Sequence, residues 1–253
     1  MSDLRSLLYT LNYSAGTNYP TELLVYNTSV NAGSNGGQCC NFVVPAGATF
    51  VTFEMWGSGG GGSGACCCMQ SWPGGGASYS VKTVYSSALA GCSYTVCAAG
   101  TTYQSVNCIG CGGNTSYVTG YGLSNFCANG GSYGNATCWL YFSCYTCSTE
   151  MPYCCCAYGG DVNIHGIQSS YTGSTWCAQY GQQHAMTAPA AQSGPFYGPG
   201  GCINASQQGN LGCSGWFGYT PFPGGGGLSA QAYGGNCWCG GMGGGGLVSI
   251  TYG

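Results

Sequence analysis

The residues of this chain that could do chemistry are mostly thiols. Among its 21 cysteines are the runs Cys39-Cys40, Cys66-Cys67-Cys68 and Cys154-Cys155-Cys156, with Cys144 near Cys147 and Cys237 near Cys239. An odd count leaves at least one thiol unpaired within the chain, and spacing does not give connectivity. Zinc is the first chemistry to test. Cys108-x-x-Cys111 and Cys144-x-x-Cys147 have ligand-like spacing, yet a long Gly/Tyr-rich segment separates them where a zinc knuckle would be compact. Consecutive cysteines in an extended chain also point to opposite faces, so Cys66 to Cys68 cannot all serve one site. No metal is therefore expected. The plainer reading is that these thiols act as small apolar residues, some of them free to pair in an oxidising exterior.

Catalytic readings meet the same difficulty. A nucleophilic thiol at Cys154 to Cys156 would need a base within hydrogen-bonding reach, and Asp161, His165 and His184 are the nearby candidates. No protease signature flanks them. Glycoside hydrolysis needs a carboxyl pair, and only Glu54, Glu150 and Asp161 lie beyond the N-terminal segment. Calcium would need carboxylate clusters, which are missing. The sequence predicts no catalytic residue and no cofactor.

Charge narrows the field further. Arg5 and Lys82 are the only basic residues, against Asp3, Glu22, Glu54, Glu150 and Asp161. A nucleic-acid partner or a polybasic membrane contact has no footprint here. Because 44 % of the residues are apolar, the chain is not a disordered polar tail either. No apolar run approaches the roughly 20 residues of a membrane span, so no membrane insertion is expected. The start, Met1 to Leu11, has an acid early and too short an apolar core for a secretory signal, which predicts a protein made in a cytoplasm.

The elements that would position any site are strands and glycine runs. In 49–56, Val51, Phe53 and Met55 alternate with Phe50, Thr52, Glu54 and Trp56, which predicts a strand with one apolar face after a Pro45-Ala-Gly47 turn. Residues 79–85 and 92–97 alternate around Ser86 to Gly91 and read as a hairpin, with Tyr79, Val81 and Tyr85 sharing a face. Cys111-Gly-Gly-Asn-Thr-Ser-Tyr-Val118 gives a further short strand after a glycine turn. The last strand, 247–252, carries Val248, Ile250 and Tyr252 on one face and needs a partner, for which 49–56 is the natural neighbour. Leu4, Leu7, Leu8 and Leu11 fall at helical spacing, so residues 1–38 read as an attachment arm that buries Leu4, Leu8 and Leu11 against a partner, ahead of a domain at 39–253.

Many of the 50 glycines fall in runs at 57–64, 74–76, 110–113, 129–131, 198–201, 223–227 and 240–246, without the strict period of collagen. Such runs are either flexible linkers or backbone packed against backbone. Their interleaving with Tyr, Trp and Cys favours order. Polyglycine in the polyproline-II geometry has no internal hydrogen bonds, so each helix would have to bond laterally to its neighbours.

The order Val44-Pro-Ala-Gly-Ala, apolar strand, Trp56-Gly-Ser-Gly-Gly-Gly-Gly, Gly-Gly-Gly-Ala-Ser-Tyr-Ser-Val, then Cys-Gly-Gly-Asn-Thr-Ser and a final Gly-Gly-Gly-Gly-Leu-Val-Ser-Ile-Thr-Tyr-Gly resembles the glycine-rich domain of bacteriophage tail-fibre and tail-tip proteins. The resemblance covers residues 42–120 and 223–253 and leaves 121–222 as variable loops. The cysteine-rich loops depart from the family's pattern. It implies an all-β, β-sandwich-like domain with interleaved glycine-rich segments, in a virion protein at a tail or fibre extremity, similar to the small adhesins that cap long tail fibres. The implied partners are other virion proteins through the arm, further copies of the chain, and a host-surface glycan or outer-membrane protein.

Binding residues are expected between the glycine runs, where rigid aromatics mix with small polar residues. Trp139, Tyr141, Tyr145, Tyr171, Trp176, Tyr197, Trp216 and Tyr219 are the contact candidates, either for a receptor or for a neighbouring subunit. The reading that follows is a non-enzymatic tail-fibre or tail-tip component contributing to host attachment. Its alternative is a capsid decoration or filament-forming subunit whose aromatic and cysteine-rich loops pack between copies.

Overall fold

A computed structural model of the chain describes residues 21–26, 38–63, 65–66, 70–71, 74–102, 110–134, 136–137, 155–166, 222–227, 237–238 and 240–253. These residues form an all-β fold without helices. The strands are β1 (Thr21–Tyr26), β2 (Gln38–Val43), β3 (Phe50–Trp56), β4 (Ala65–Cys66), β5 (Gln70–Ser71), β6 (Tyr79–Tyr85) and β7 (Ser93–Ala98). They continue as β8 (Ser116–Gly120), β9 (Cys127–Ala128), β10 (Ala136–Thr137), β11 (Ala157–Tyr158), β12 (Val162–Ile164), β13 (Cys237–Trp238) and β14 (Leu247–Tyr252).

Two antiparallel five-stranded sheets make a sandwich, one in the order β1-β14-β3-β6-β12 and the other β11-β9-β8-β7-β2. The predicted apolar face of β3 is the middle of the core, since Val51, Phe53 and Met55 are fully buried. Phe53 reaches across to the second sheet, with Tyr94 at 4.8 Å between ring centroids and Phe42 edge-on at 6.4 Å. The last strand pairs with β3 as its alternation required, Ile250 opposite Phe53 and Val248 opposite Met55. Each such side chain contributes about 1.5–3 kcal/mol by leaving water.

The Pro45 turn also forms as the sequence suggested. Ala48 N–H reaches back to the Pro45 carbonyl, and Gly47 takes the left-handed φ of 90° that the third position of the turn requires.

Two expectations are corrected. Residues 79–85 and 93–98 are not a hairpin, because β6 pairs with β3 and β12 while β7 pairs with β2 and β8. The stretch between them carries the chain from one sheet to the other. Leu89, fully buried, plugs the end of the sandwich, and Gly91 bonds to the Val44 carbonyl across the crossing. The face that Tyr79, Val81 and Tyr85 share, as their alternation indicated, is the outer face of its sheet. Tyr79 packs against Trp56 with its ring tilted, 4.9 Å between centroids, and Leu247, Val81 and Ile164 lie around them, while Ser80 and Val84 face the core beside Met55 and Val51. Within the stretch read as an arm, Thr21–Tyr26 is an edge strand of the first sheet, bonded along its length to β14.

β12 is tied to β6 by the only salt bridge among the described residues. Asp161 takes a hydrogen bond from Lys82 Nζ at 2.5 Å and one from the Thr83 amide at 2.9 Å. These donors lower the Asp161 pKa, Lys82 contributing most. A lowered carboxyl pKa stabilises the fold above its unfolded value, near 4, and that contribution is lost as pH falls through the lower folded value. The carboxylate side chain is 49 % exposed, so solvent screening keeps the effect under about 1 kcal/mol. Asp161→Asn is expected to cost that amount at pH 7, and the gap between variant and wild type should close below about pH 4 in urea titrations at several pH values.

Beyond the sandwich the strands run on into glycine segments, and these form an ordered lattice. Segment 57–63, the continuation of β3, lies at its centre. Its amides bond outward in a period of three. Gly57 and Gly60 donate to Ser78 and Gly75, Ser58 and Gly61 to Asn114 and Cys111, and Gly59 and Gly62 to Gly244 and Gly241, all at 2.8–3.2 Å. Three residues per turn with only lateral bonds is the polyglycine-II arrangement. On the acceptor side, Gly131 and Gly134 donate to the Ser58 and Gly61 carbonyls and Gly227 to that of Gly60. Five segments therefore bond directly to the central one. A sixth, 99–102, is bonded to 240–246 through Gly246 to Ala99 and Gly243 to Thr102 Oγ1.

The bundle mixes directions: relative to 57–63, segments 74–78, 110–114 and 240–246 run antiparallel, whereas 129–134 and 223–227 run parallel. Glycine is obligatory here for a steric reason. A Cβ on Gly60 would lie 1.8 Å from the Ser132 carbonyl oxygen, and one on Gly59 1.8 Å from that of Gly225. Of the predicted runs, all but 198–201, which lies outside the described residues, enter the lattice wholly or in large part.

Candidate interaction surfaces

The sandwich and lattice give the molecule two ends of different character. Segment 57–63 finishes away from the sandwich, as do 129–134 and 223–227, and 74–78, 110–114 and 240–246 begin there. Stretches 64–73, 103–109 and 228–239 join lattice segments at this far end. Two pairs of strands extend the lattice in unbroken register. The bonds of Gly59 with Gly244 and Gly62 with Gly241 are followed by Ala65 opposite Trp238 and Cys66 opposite Cys237. In the same way the bond of Gly75 to Ser132 is followed by Ser71 opposite Ala136 and Gln70 opposite Thr137.

Trp139, Tyr141 and Tyr145 lie in 138–154, outside the described residues. That stretch starts from β10 at the far end and rejoins at Cys155. Tyr171, Trp176, Tyr197, Trp216 and Tyr219 lie in 167–221, also outside them. Its bounding residues, Gly166 and Phe222, sit on the flank of the lattice: a Cβ on Gly166 would meet the Gly76 oxygen, and Ala77 bonds to Gly224. Leu4, Leu8 and Leu11 fall in 1–20, outside the described residues as well. Residue 21, to which that stretch leads, is at the opposite end of the molecule, where Thr21 pairs with Tyr252 next to the C-terminal Gly253.

The sequence reading missed the outer face of the second sheet. Register places Cys39, Cys97, Tyr117, Cys127 and Tyr158 in one straight row across its five strands, with Asn41, Thr95 and Thr119 in the next. Cys39 and Cys97 form a disulfide. Tyr117 and Tyr158, 40 % and 50 % exposed, flank an open groove of about 430 Å³ lined also by Thr119, Asn125, Phe126 and Cys127. No charged side chain lines it. Burial pushes the Cys127 thiol pKa up, and a hydrogen bond with Cys156 raises that of the Tyr158 hydroxyl. Both groups are thus held neutral at physiological pH. The alternations of 92–97 and 116–120 both fall on this sheet, but such patterns do not identify the strands beside them.

The Cys39-Cys40 pair obeys the opposite-faces rule. Cys39 is exposed on the outer row, and Cys40 packs against the core, where burial raises its thiol pKa. Of the residues considered for catalysis, Asp161 is engaged by Lys82 and Thr83, and His165 is exposed just after β12. Among the described residues no three His, Cys, Asp or Glu side chains are grouped so as to hold a metal ion. Buried hydroxyls serve the fold: Tyr79 donates to Glu54 at 2.6 Å, and Tyr94 to the Tyr121 carbonyl at 2.9 Å. Burial pushes the Tyr94 pKa up to about 12. No protein-family model matches this chain, and no curated protein matches it significantly.

Proposed function

We propose that the chain is a non-enzymatic virion structural protein, a tail-fibre or tail-tip component that contributes to host attachment. The observation that carries this reading is the separation of the two ends. The chain enters the described fold at Thr21 beside Gly253, at the sandwich end, whereas the aromatic-rich stretches 138–154 and 167–221 are bounded by residues of the lattice and its flank. An attachment end held apart from a display end is what an adhesin requires. The lattice suits the display end because its bonds run between backbones, so the sequence of the connecting stretches is free to vary without loss of core packing. The sparse charge directs the choice of ligand toward neutral groups, such as a host-surface glycan, for which tyrosine and tryptophan faces are suited.

Two measurements test the proposal. Purified chain added to host cells should block adsorption of the particles that carry it. Combined Trp139→Ala, Trp176→Ala and Trp216→Ala should weaken that block at least tenfold with the unfolding midpoint unchanged. Cryo-electron microscopy of the particles should then find the chain at a tail or fibre extremity with residues 138–154 and 167–219 facing solvent. Density on a capsid or filament, with those two stretches buried between copies, would overturn the attachment role in favour of a decoration or filament subunit.

A further inference from the structure

The register of β4 and β13 bears on a question that cysteine counting leaves open, namely which thiols pair. In the ribbon that prolongs the lattice, Cys66 stands directly opposite Cys237. The same relation holds at one other place in the described residues, Cys39 opposite Cys97 on β2 and β7, and there the two cysteines are joined. Directly opposed residues of an antiparallel pair have their Cβ atoms about 4.5–5.5 Å apart, near the span a disulfide bridges. A slip of one residue would separate them, but this ribbon inherits its register from the lattice. Gly59 and Gly62 are bonded to Gly244 and Gly241, and the pairing runs on from there to Ala65 with Trp238. The lattice register resists slipping, because its backbones approach too closely to admit a side chain. A Cβ on Gly243, for example, would lie 2.0 Å from the Gly59 oxygen.

We propose that Cys66 and Cys237 form a second cross-strand disulfide, which ties the start of segment 64–73 to the end of 228–239 at the far end of the lattice. The oxidant is a small-molecule disulfide. The Cys66 thiolate attacks one of its sulfurs and releases one small thiol, giving a mixed disulfide. The Cys237 thiolate then attacks the Cys66 sulfur and releases the second, so that two protein thiols are oxidised and two small thiols are formed. The tie needs no partner and holds whether or not the chain is an adhesin.

The test is non-reducing peptide mapping of the full chain after incubation with oxidised glutathione and blocking of remaining thiols, with the Cys39–Cys97 peptide as the marker of completed oxidation. A crosslinked peptide joining Cys66 to Cys237 should exceed any other pairing of either cysteine by more than tenfold. Cys67→Ser with Cys68→Ser should keep that crosslink, and Cys66→Ser should lose it. Recovery of Cys66 and Cys237 as blocked thiols while Cys39–Cys97 is closed would overturn the proposal, as would a dominant pairing of Cys66 with any other cysteine.

Discussion

Gly60→Ala is expected to leave no folded protein, whereas Gly112→Ala should fold as well as wild type. A methyl group at Gly60 would sit 1.8 Å from the Ser132 oxygen and 2.5 Å from its carbonyl carbon. Overpacking a core usually costs about 1–3 kcal/mol, because side chains shift rotamer to make room. Here the obstacle is backbone, and moving it has further costs. Segment 129–134 accepts a bond from Gly75 through Ser132 and donates from Gly131 and Gly134 to the central segment, all at 2.7–2.8 Å. Each buried polar group left unpaired costs about 1–3 kcal/mol, and three or four such losses reach the whole stability of an ordinary domain. At Gly112 an added Cβ meets nothing within 4 Å. With φ outside the left-handed region, alanine there should be neutral or stabilising by up to about 1 kcal/mol, through its effect on the unfolded chain. Soluble yield and urea unfolding of both variants check the pair of expectations. A folded Gly60→Ala protein with a wild-type midpoint would mean that the lattice does not hold its central segment as described.

The same physics decides what the sequence could disclose. Val51, Phe53 and Met55 announce a core face because an apolar residue at every second position is what a strand with one buried side requires, and Val248 and Ile250 do so again in the last strand. The glycine runs could be read as ordered from their company of Tyr, Trp and Cys. Their three-residue phase could not, since a run of identical residues carries no phase of its own. Periodicity also does not name a strand's neighbour. Residues on both sides of Ser86 to Gly91 alternate as a hairpin would, and only Leu89, buried at the end of the sandwich, marks the stretch as a crossing between sheets. Thr21–Tyr26 is hard to see in the sequence for a related reason. The leucines of 4–11 stand out by their helical spacing, while Leu23 and Val25 turn toward the core from a short edge strand whose alternation is blurred by Leu24, although Pro20 and Asn27 frame it. The aromatics of 138–154 and 167–221 remain expectations from composition alone, for they fall in stretches the described residues bound but do not include.

Breaking the Cys39–Cys97 disulfide is expected to lower stability by about 4 kcal/mol, the loop-closure value for residues separated by 58 positions in the chain. The location makes the effect global. β2 is an edge strand held on one side only, through its pairing with β7, yet it carries Phe42 into the core against Phe53 and Tyr252. If that edge loosens, Phe53 loses a neighbour, and β3 is the strand that continues into the centre of the lattice. Sandwich and lattice should therefore unfold together in one transition, at a lower denaturant concentration and with a somewhat steeper dependence on it, because the unlinked chain unfolds to a more expanded state. Cys39→Ser with Cys97→Ser and the wild type should share one midpoint when both are reduced, and without reductant the double variant should melt roughly 10 °C below the oxidised wild type. Cys39→Ser alone should fall as far, because the Cys97 thiol it leaves behind is small, apolar and 1 % exposed, and so can stay buried at little cost. A double variant that kept the oxidised midpoint would show that the six register pairs of β2 with β7 hold the edge without the covalent link.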